Sequence, residues 1–343
     1  MKPHFLLLGL VVFLFISCNS LYYTSIDVLR PAQTTFQPTN NDLLLVNNAA
    51  IQSSTYGHET NLLDKKMNID VSTDSLSIYC LDALKEELDS RHFFSSVQLD
   101  SDMINANGNF RNRTRIPKKT INGLCDRFGS NVVLSLDKII VKDILNEYFV
   151  EDNNSYADEL EATFLTEWSV YYPDSDKSST VQFKDTMFWS SDESADRWDA
   201  ISRLPKRSDA LIDGALYIGR KCISRFLPFW DKEDRFIFSS NNKLMKQAMD
   251  SVVYRKWNAA IVKWKKLYDT TKNNQLKAKL ANNIAIANEI GGNMDEALKY
   301  CNISLQIIEN EAYNKTYYLI KDYYALLNKR DKEIKLLKQQ LGE

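Results

Sequence analysis

The sequence of 343 residues lacks most of the features that mark common enzyme and binding classes. Its three histidines argue against a histidine-rich metal site, and its ten glycines form no glycine-rich phosphate loop of either common pattern. No GxSxG motif or CxxC pair is present. A net charge of −2 excludes a generally basic nucleic-acid binder. We therefore predict no catalytic residue, no metal, no cofactor and no nucleic-acid partner.

The composition is that of a globular chain with an export signal. Hydrophobic residues make up 44% and charged residues 26%, and the length predicts two domains. The apolar run at residues 5–16 is shorter than the roughly 20 residues that a spanning helix needs. Its length is typical of a signal peptide, which we place at residues 1–18.

The run ends in Phe15-Ile16-Ser17-Cys18, which resembles a bacterial lipobox. The family pattern prefers leucine at the position of Phe15. The resemblance implies that Cys18 becomes the lipidated mature N-terminus, and the alternative is an ordinary secretory signal with an incidental cysteine. No aspartate follows Cys18 at the position of inner-membrane retention. The resemblance therefore implies a lipid-anchored protein of the outer membrane that faces the periplasm, with the cell surface as the alternative.

The charge changes sign near residue 240. Residues 1–240 carry 25 basic and 34 acidic side chains, 25 − 34 = −9, and residues 241–343 carry 18 and 11, 18 − 11 = +7. No proline follows Pro228, so the second region reads as continuous helices. We predict a mixed α/β domain at 19–240 and a helical domain at 241–343.

The first region alternates strand and helix patterns. A buried-type apolar run at 43–46 and a run at 132–141 predict strands, and helical spacing predicts helices near 75–90, 121–128 and 211–226. Apolar residues at alternate positions of 162–172 and 181–189, separated by a Pro-Asp-Ser-Asp turn, predict an antiparallel hairpin. The fold class predicted is α+β, with a mixed sheet covered by helices.

Residues 22–235 resemble two known domains. The order of elements, the segment Leu-Leu-Leu-Val-Asn-Asn at 43–48 and the stretch 209–215 with Arg220 are similar to lipoproteins that activate penicillin-binding proteins. The same features are similar to the amino-terminal domain of TolB. The resemblance implies a small α/β domain that works in the envelope.

The second region resembles tetratricopeptide repeats. Residues 292–298 are similar to the turn and second helix of such a repeat, with the small-residue positions at Ala285, Ala297 and Ser304. A copy 37 residues upstream contains Ala260 and Trp264, and a degenerate third copy follows as a helix pair at about 317–341. These five residues are predicted to pack the helices together. The whole architecture resembles a Bacteroidota outer-membrane lipoprotein family, which implies placement and layout without an activity.

Candidate chemical groups are few and scattered. His58 lies in a polar segment, and a Cys80–His92 pair is conceivable only if the Cys80 thiol leaves its apolar stripe. Cys80, Cys125, Cys222 and Cys301 are interpreted as small buried hydrophobes, with disulfides as the alternative. The basic, asparagine-rich stretch 107–115 reads as a loop.

These observations favour an interaction protein over an enzyme. A stack of helical repeats presents a concave surface, and the positive charge of this stack favours an acidic peptide or an anionic envelope protein. Candidate partner-binding residues are Lys263, Lys277 and Lys321, one in each copy. The alternatives are a periplasmic enzyme with a site in the α/β domain, or a secretion or channel component.

Overall fold

The computed structural model describes residues 21–36, 42–62, 65–309 and 314–343. Cys18 and the rest of the predicted signal peptide lie outside the described residues. The chain divides into two compact units. We call them the helical unit, with residues 21–29 and Trp230–Lys335, and the α/β unit, with Arg30–Phe229 and Leu336–Glu343.

The α/β unit holds a seven-stranded mixed sheet and its covering helices. Its strands are β2 (Asp42–Asn47), β3 (His58–Leu62), β4 (Lys65–Asn68), β5 (Ser96–Met103), β6 (Val132–Val150), β7 (Ser155–Tyr171) and β8 (Ser178–Ser190). Its helices are α1 (Leu76–Arg91), α2 (Lys118–Phe128), α3 (Arg197–Ser202) and α4 (Arg207–Phe226). The strand order is β4-β3-β6-β2-β5, and β7 joins β6 to β8.

Parallel and antiparallel pairs coexist in this sheet, which confirms the α+β fold class. β2 pairs in parallel with β5 and β6, and β3 pairs in parallel with β6. β6, β7 and β8 are antiparallel, and β7 with β8 forms the predicted hairpin. The predicted strand at 132–141 extends to Val150 as part of β6.

Coverage of the central strand β2 on both faces explains its uniformly apolar sequence. Leu43 and Leu45 pack into the core under α1 and α4, and Leu44 and Val46 pack under α2. Successive side chains point to opposite faces of a strand, so a strand covered on both faces must be apolar at every position. Gly219 lets α4 approach α1, because a Cβ there would lie 2.2 Å from the backbone oxygen of Cys80.

Within its described residues, the helical unit contains five helices and a two-stranded ribbon. The helices are α5 (Lys243–Val253), α6 (Trp257–Thr270), α7 (Asn274–Ile290), α8 (Met294–Glu309) and α9 (Lys315–Leu341). Consecutive helices from α5 to α8 pack on each other. The ribbon pairs β1 (Leu21–Arg30) with β9 (Phe229–Phe238). An all-helical C-terminal region was predicted and is confirmed, whereas its assignment as tetratricopeptide repeats stays a prediction.

The third repeat copy does not form the predicted helix pair, because residues 315–341 make one helix. The segment where a turn was expected contains no glycine or proline. It carries ion pairs one helical turn apart, Lys329–Glu333 at 3.7 Å and Lys335–Asp331 at 2.6 Å. Such pairs stabilise a continuous helix by a few tenths of a kcal/mol each, about 0.2–0.5 kcal/mol.

The unit boundary also differs from the predicted division near residue 240. β9 belongs almost wholly to the helical unit, and β1 joins it from the other end of the chain. The change in net charge near residue 240 does not indicate this arrangement, because β1 and β9 are held in the helical unit by backbone pairing and by apolar side chains. Among the described residues no helix is long and apolar enough to cross a membrane.

Cys80, Cys125, Cys222 and Cys301 are buried and free of disulfides. Burial raises the pKa of the Cys222 thiol and of the Cys301 thiol to about 12. It also raises the pKa of Cys80 well above its ordinary value. Thiols in this state are poor nucleophiles, so the conceivable Cys80–His92 pair has no support in the structure.

Candidate functional site

Strand β9 of the ribbon packs against the helices of the helical unit. Ile237 packs with Trp264 and Ile284, and Phe238 packs with Ala278 and Ile320. Residues 280–289 of α7 are all buried as a result. The protein therefore fills part of its helical surface with its own N-terminal and central strands.

Asn283 of α7 fixes β9 in place. Its side-chain amide donates to the Phe238 carbonyl at 2.7 Å, and its side-chain oxygen accepts from the Phe238 amide at 2.8 Å. These two hydrogen bonds pair the N–H and C=O groups of Phe238, as a neighbouring strand would. The backbone of β9 is thus satisfied at this residue by a helix side chain.

A buried ion pair ties the ribbon to the same helix. Arg235 of β9 donates to both carboxylate oxygens of Glu289 on α7, at 2.7 and 2.6 Å. Tyr323 donates to Glu289 at 2.9 Å, and Glu233 lies 2.7 Å from the Arg235 guanidinium. Burial, with the neighbouring Glu289 carboxylate, raises the pKa of the Tyr323 hydroxyl well above its ordinary value.

An open cavity of about 360 Å³ borders the ribbon. Residues 24–28 of β1 form one wall, and Arg255, Trp257, Met294 and Ile334 lie around it. Successive strand side chains point to opposite faces, so a cavity that contacts five consecutive residues runs along the strand edge. This cavity therefore exposes the backbone edge of β1.

Arg255 and Arg330 are the positive groups of the cavity, whose lining also includes the exposed carboxylate of Asp27. Arg255 lies in the turn between α5 and α6 with φ at 54°, is exposed, and makes no side-chain hydrogen bond or ion pair with any described residue. A left-handed φ is rare outside glycine, asparagine and aspartate and is enriched at functional positions. Arg330 lies 3.4 Å from Glu333 and also donates to the Leu29 carbonyl of β1.

The five predicted packing residues lie inside the helical unit. Ala260, Trp264, Ala285 and Ala297 belong to one apolar core. Ser304 is fully buried and donates to the Ala278 carbonyl at 2.7 Å.

Replacing Ala260 by phenylalanine is expected to lower the free energy of unfolding of the helical unit by about 1–3 kcal/mol or more, because it overpacks a filled seam. Ala259, the preceding residue in α6, is exposed. Ala259→Phe is the matched control, with an expected change within about 0.5 kcal/mol. Urea denaturation followed by far-ultraviolet circular dichroism measures both. Equal midpoints for the two variants would contradict close packing at Ala260.

The three candidate lysines do not line the cavity and are not brought together. Lys263 donates to Ser251 at 2.7 Å. Lys277 lies 5.8 Å from the ring centre of Tyr268, and Lys321 lies 5.7 Å from that of Tyr317. Arg255 lines the cavity and was not among the predicted partner-binding residues. The one sequence feature that could have indicated it is its place in a short turn between two helices.

The α/β unit contains a buried polar cluster around Asp143. His58 was predicted in a polar loop, and this is wrong, because it begins β3 and is fully buried. Its Nδ1 bonds to Asp143, and its Nε2 lies 3.4 Å from Gln52. The Arg207 Nε lies 3.0 Å from the other Asp143 oxygen, and burial lowers the Arg207 pKa while Asp143 opposes this shift. The cluster joins α4 to β3 and β6, and both ring nitrogens of His58 are occupied.

A second buried carboxylate, Asp137, sits at the bulge of β6. It accepts hydrogen bonds from Asn48 at 3.0 Å, from Ser135 at 2.7 Å and from Ser169. Burial raises its pKa, and these hydrogen bonds oppose that shift. Arg113, from the predicted basic loop, donates to Ser169 at 3.1 Å. Protein donors therefore occupy both oxygens of this carboxylate.

No group of three or more histidine, cysteine, aspartate or glutamate side chains is arranged to hold a metal ion within the part of the chain that the structure describes.

Comparison with known proteins gives two family matches. Residues 41–238 match the domain of unknown function DUF8603, which covers more than half of the chain. The chain belongs to this family. Residues 246–329 match a second domain of unknown function, DUF6340. The first match spans β2 to β9, and the second lies within α5 to α9.

Other comparisons add little. No curated protein matches the chain. The chain is similar to the crystal structure of a neuraminyllactose-binding hemagglutinin homolog from Helicobacter pylori, with 13% identity over 57% of this chain and 90% of that one. The TM-score is 0.30, so this likeness carries no argument about fold or function.

Proposed function

We propose that the protein is a lipid-anchored adaptor of the bacterial envelope, which binds a protein partner at the cavity along β1. The observation that carries the proposal is the contrast between two parts of the helical unit. The helix face over α7 is filled by the ribbon, whereas the outer edge of β1 borders an open cavity beside the unpaired Arg255. A binding role requires an accessible surface, and this cavity supplies it.

The lipobox-like segment supports the anchored part of the proposal. Cys18 precedes the first residue of β1, Leu21, by only two intervening residues. An extended chain spans about 3.3–3.6 Å per residue. A lipid on Cys18 would therefore hold Leu21, the first residue of β1, within about 11 Å of the lipidated cysteine. The proposed location is the periplasmic face of the outer membrane, and the proposed process is envelope assembly.

Charge supports a negatively charged partner. Residues 241–343 carry 18 basic and 11 acidic side chains, 18 − 11 = +7. Positive surfaces raise association rates with acidic partners, and salt screens this effect. Asp137 and Asp143, two buried carboxylates of the α/β unit, are both bonded to other side chains. Their engagement favours the adaptor over an enzyme acting through either carboxylate.

The test is capture of partners from cross-linked envelopes by the tagged full-length protein. We expect one or more partner proteins whose capture weakens steeply between about 0.05 M and 0.5 M salt, because the Debye length falls to a few ångströms. Arg255→Asn should reduce capture about fivefold or more. Charge reversal at Lys263, Lys277 and Lys321 together should reduce it less. Capture that responds to neither salt nor Arg255→Asn would reject the proposal.

A further inference from the structure

We infer that the partner supplies an extended, acidic segment that pairs with the free edge of β1 and becomes the third strand of the ribbon. This inference rests on the proposed function and names the partner chemistry at the same cavity. An exposed strand edge presents unpaired N–H and C=O groups, and peptides commonly bind by adding a strand to such an edge.

The topology leaves one edge of β1 open. Within the described residues the ribbon has two strands, so β9 occupies one edge of β1 and no strand occupies the other. Arg330 caps this strand at the Leu29 carbonyl. The open stretch is therefore residues 24–28, which border the cavity. At about 3.3 Å per residue, five residues offer about 17 Å of edge.

The cavity also suits the side chains of an added strand. Trp257, Met294 and Ile334 provide apolar surface opposite β1. In an added strand alternate side chains point to one side, so every second residue of the partner would contact this surface. The structure therefore favours a segment with apolar residues at alternate positions.

Arg255 selects for negative charge. It is exposed beside the cavity and unpaired within the described chain, whereas the nearby Glu289 is already bonded to Arg235 and Tyr323. An aspartate or glutamate of the partner could form a charge-assisted hydrogen bond with this guanidinium.

The experiment selects binders from a random ten-residue peptide library displayed on phage. The target is the chain expressed without its first 18 residues. We expect selected peptides to carry acidic residues between alternating apolar ones. Two synthetic copies are made, one with the odd and one with the even backbone amides N-methylated, and the copy whose blocked amides face β1 should bind more than about 30-fold more weakly, since it cannot form the strand hydrogen bonds. Amide exchange at residues 24–28 should slow when the unmodified peptide binds.

Two variants of adjacent residues test the role of charge. Arg255→Asn should weaken peptide binding about fivefold to tenfold, and asparagine tolerates the left-handed backbone, so the fold should be kept. Lys256→Asn is the matched control, because Lys256 is exposed in the same turn and does not line the cavity. This control should change binding less than about twofold.

Three results would overturn the inference. The first is selected peptides that bind equally well after N-methylation, which would indicate side-chain recognition and leave the adaptor proposal intact. The second is no enrichment above an unrelated control protein. The third is concentration-dependent dimers in sedimentation that the unmodified peptide disrupts, which would assign the edge to a second copy of this chain. If the adaptor proposal itself is wrong, no protein is captured from envelopes in a salt-sensitive way, and this result is distinct from the three above.

Discussion

Replacing Glu289 by alanine is expected to lower the free energy of unfolding of the helical unit by about 3–5 kcal/mol. The substitution leaves Arg235, whose side chain is 1% exposed, without its bidentate partner. Removing one partner of a buried pair costs far more than the pair itself contributes, and Glu233, 2.7 Å from the guanidinium, is the carboxylate that then remains beside Arg235. Tyr323 also loses an acceptor. Thermal and urea denaturation followed at 222 nm would measure the loss.

A double substitution separates the buried charge from the packing. Arg235→Met with Glu289→Met removes both charges at similar volume, and such replacements are often neutral or stabilising. We expect the double variant to recover most of the stability lost by Glu289→Ala, less the cost of depriving Tyr323 of its Glu289 acceptor and Glu233 of its contact with Arg235. A loss below about 1 kcal/mol in Glu289→Ala would show that the ribbon is not held against α7 by this pair.

Replacing Cys18 by alanine is expected to abolish lipidation and to release the protein from membranes. A multiply acylated cysteine binds the bilayer stably, because each buried methylene contributes about 0.8 kcal/mol. Palmitate labelling of cells and sedimentation of outer membranes would measure the two effects.

Cys125→Ala is the matched control for the loss of a cysteine. Cys125 is buried and free in the α/β unit, so its replacement should leave both the label and the sedimentation unchanged. If the Cys18→Ala protein kept its lipid label and still sedimented fully, the lipobox interpretation would be wrong.

Local sequence patterns were sufficient to predict most of the strands and helices of the α/β unit. The alternation at 162–172 and 181–189 predicted β7 and β8, and the apolar run at 43–46 predicted β2. Helical spacing located α1, α2 and α4 within a few residues. These signals depend only on which side chains face a core, and that information is present in a short window of sequence.

The missed features depend on contacts between distant parts of the chain. β1 and β9 are separated by about 200 residues, so no local pattern indicates that they pair. His58 looked like a loop residue because its partner, Asp143, lies 85 positions away. Arg255 was overlooked because its exposure and left-handed backbone appear only after α5 and α6 are packed. The candidate site could therefore not be read from sequence, although the charge of its region could.

The most direct test of the account is photo-cross-linking in living cells with a reactive side chain on the β1 edge. Asp27→benzoylphenylalanine places the group at an exposed position that lines the cavity, and Lys266→benzoylphenylalanine places it on an exposed position of α6 that does not. The account predicts a cross-linked partner protein from position 27, reduced about fivefold or more in the Arg255→Asn background, and none from position 266. A partner that cross-links from position 266 and not from position 27 would contradict it.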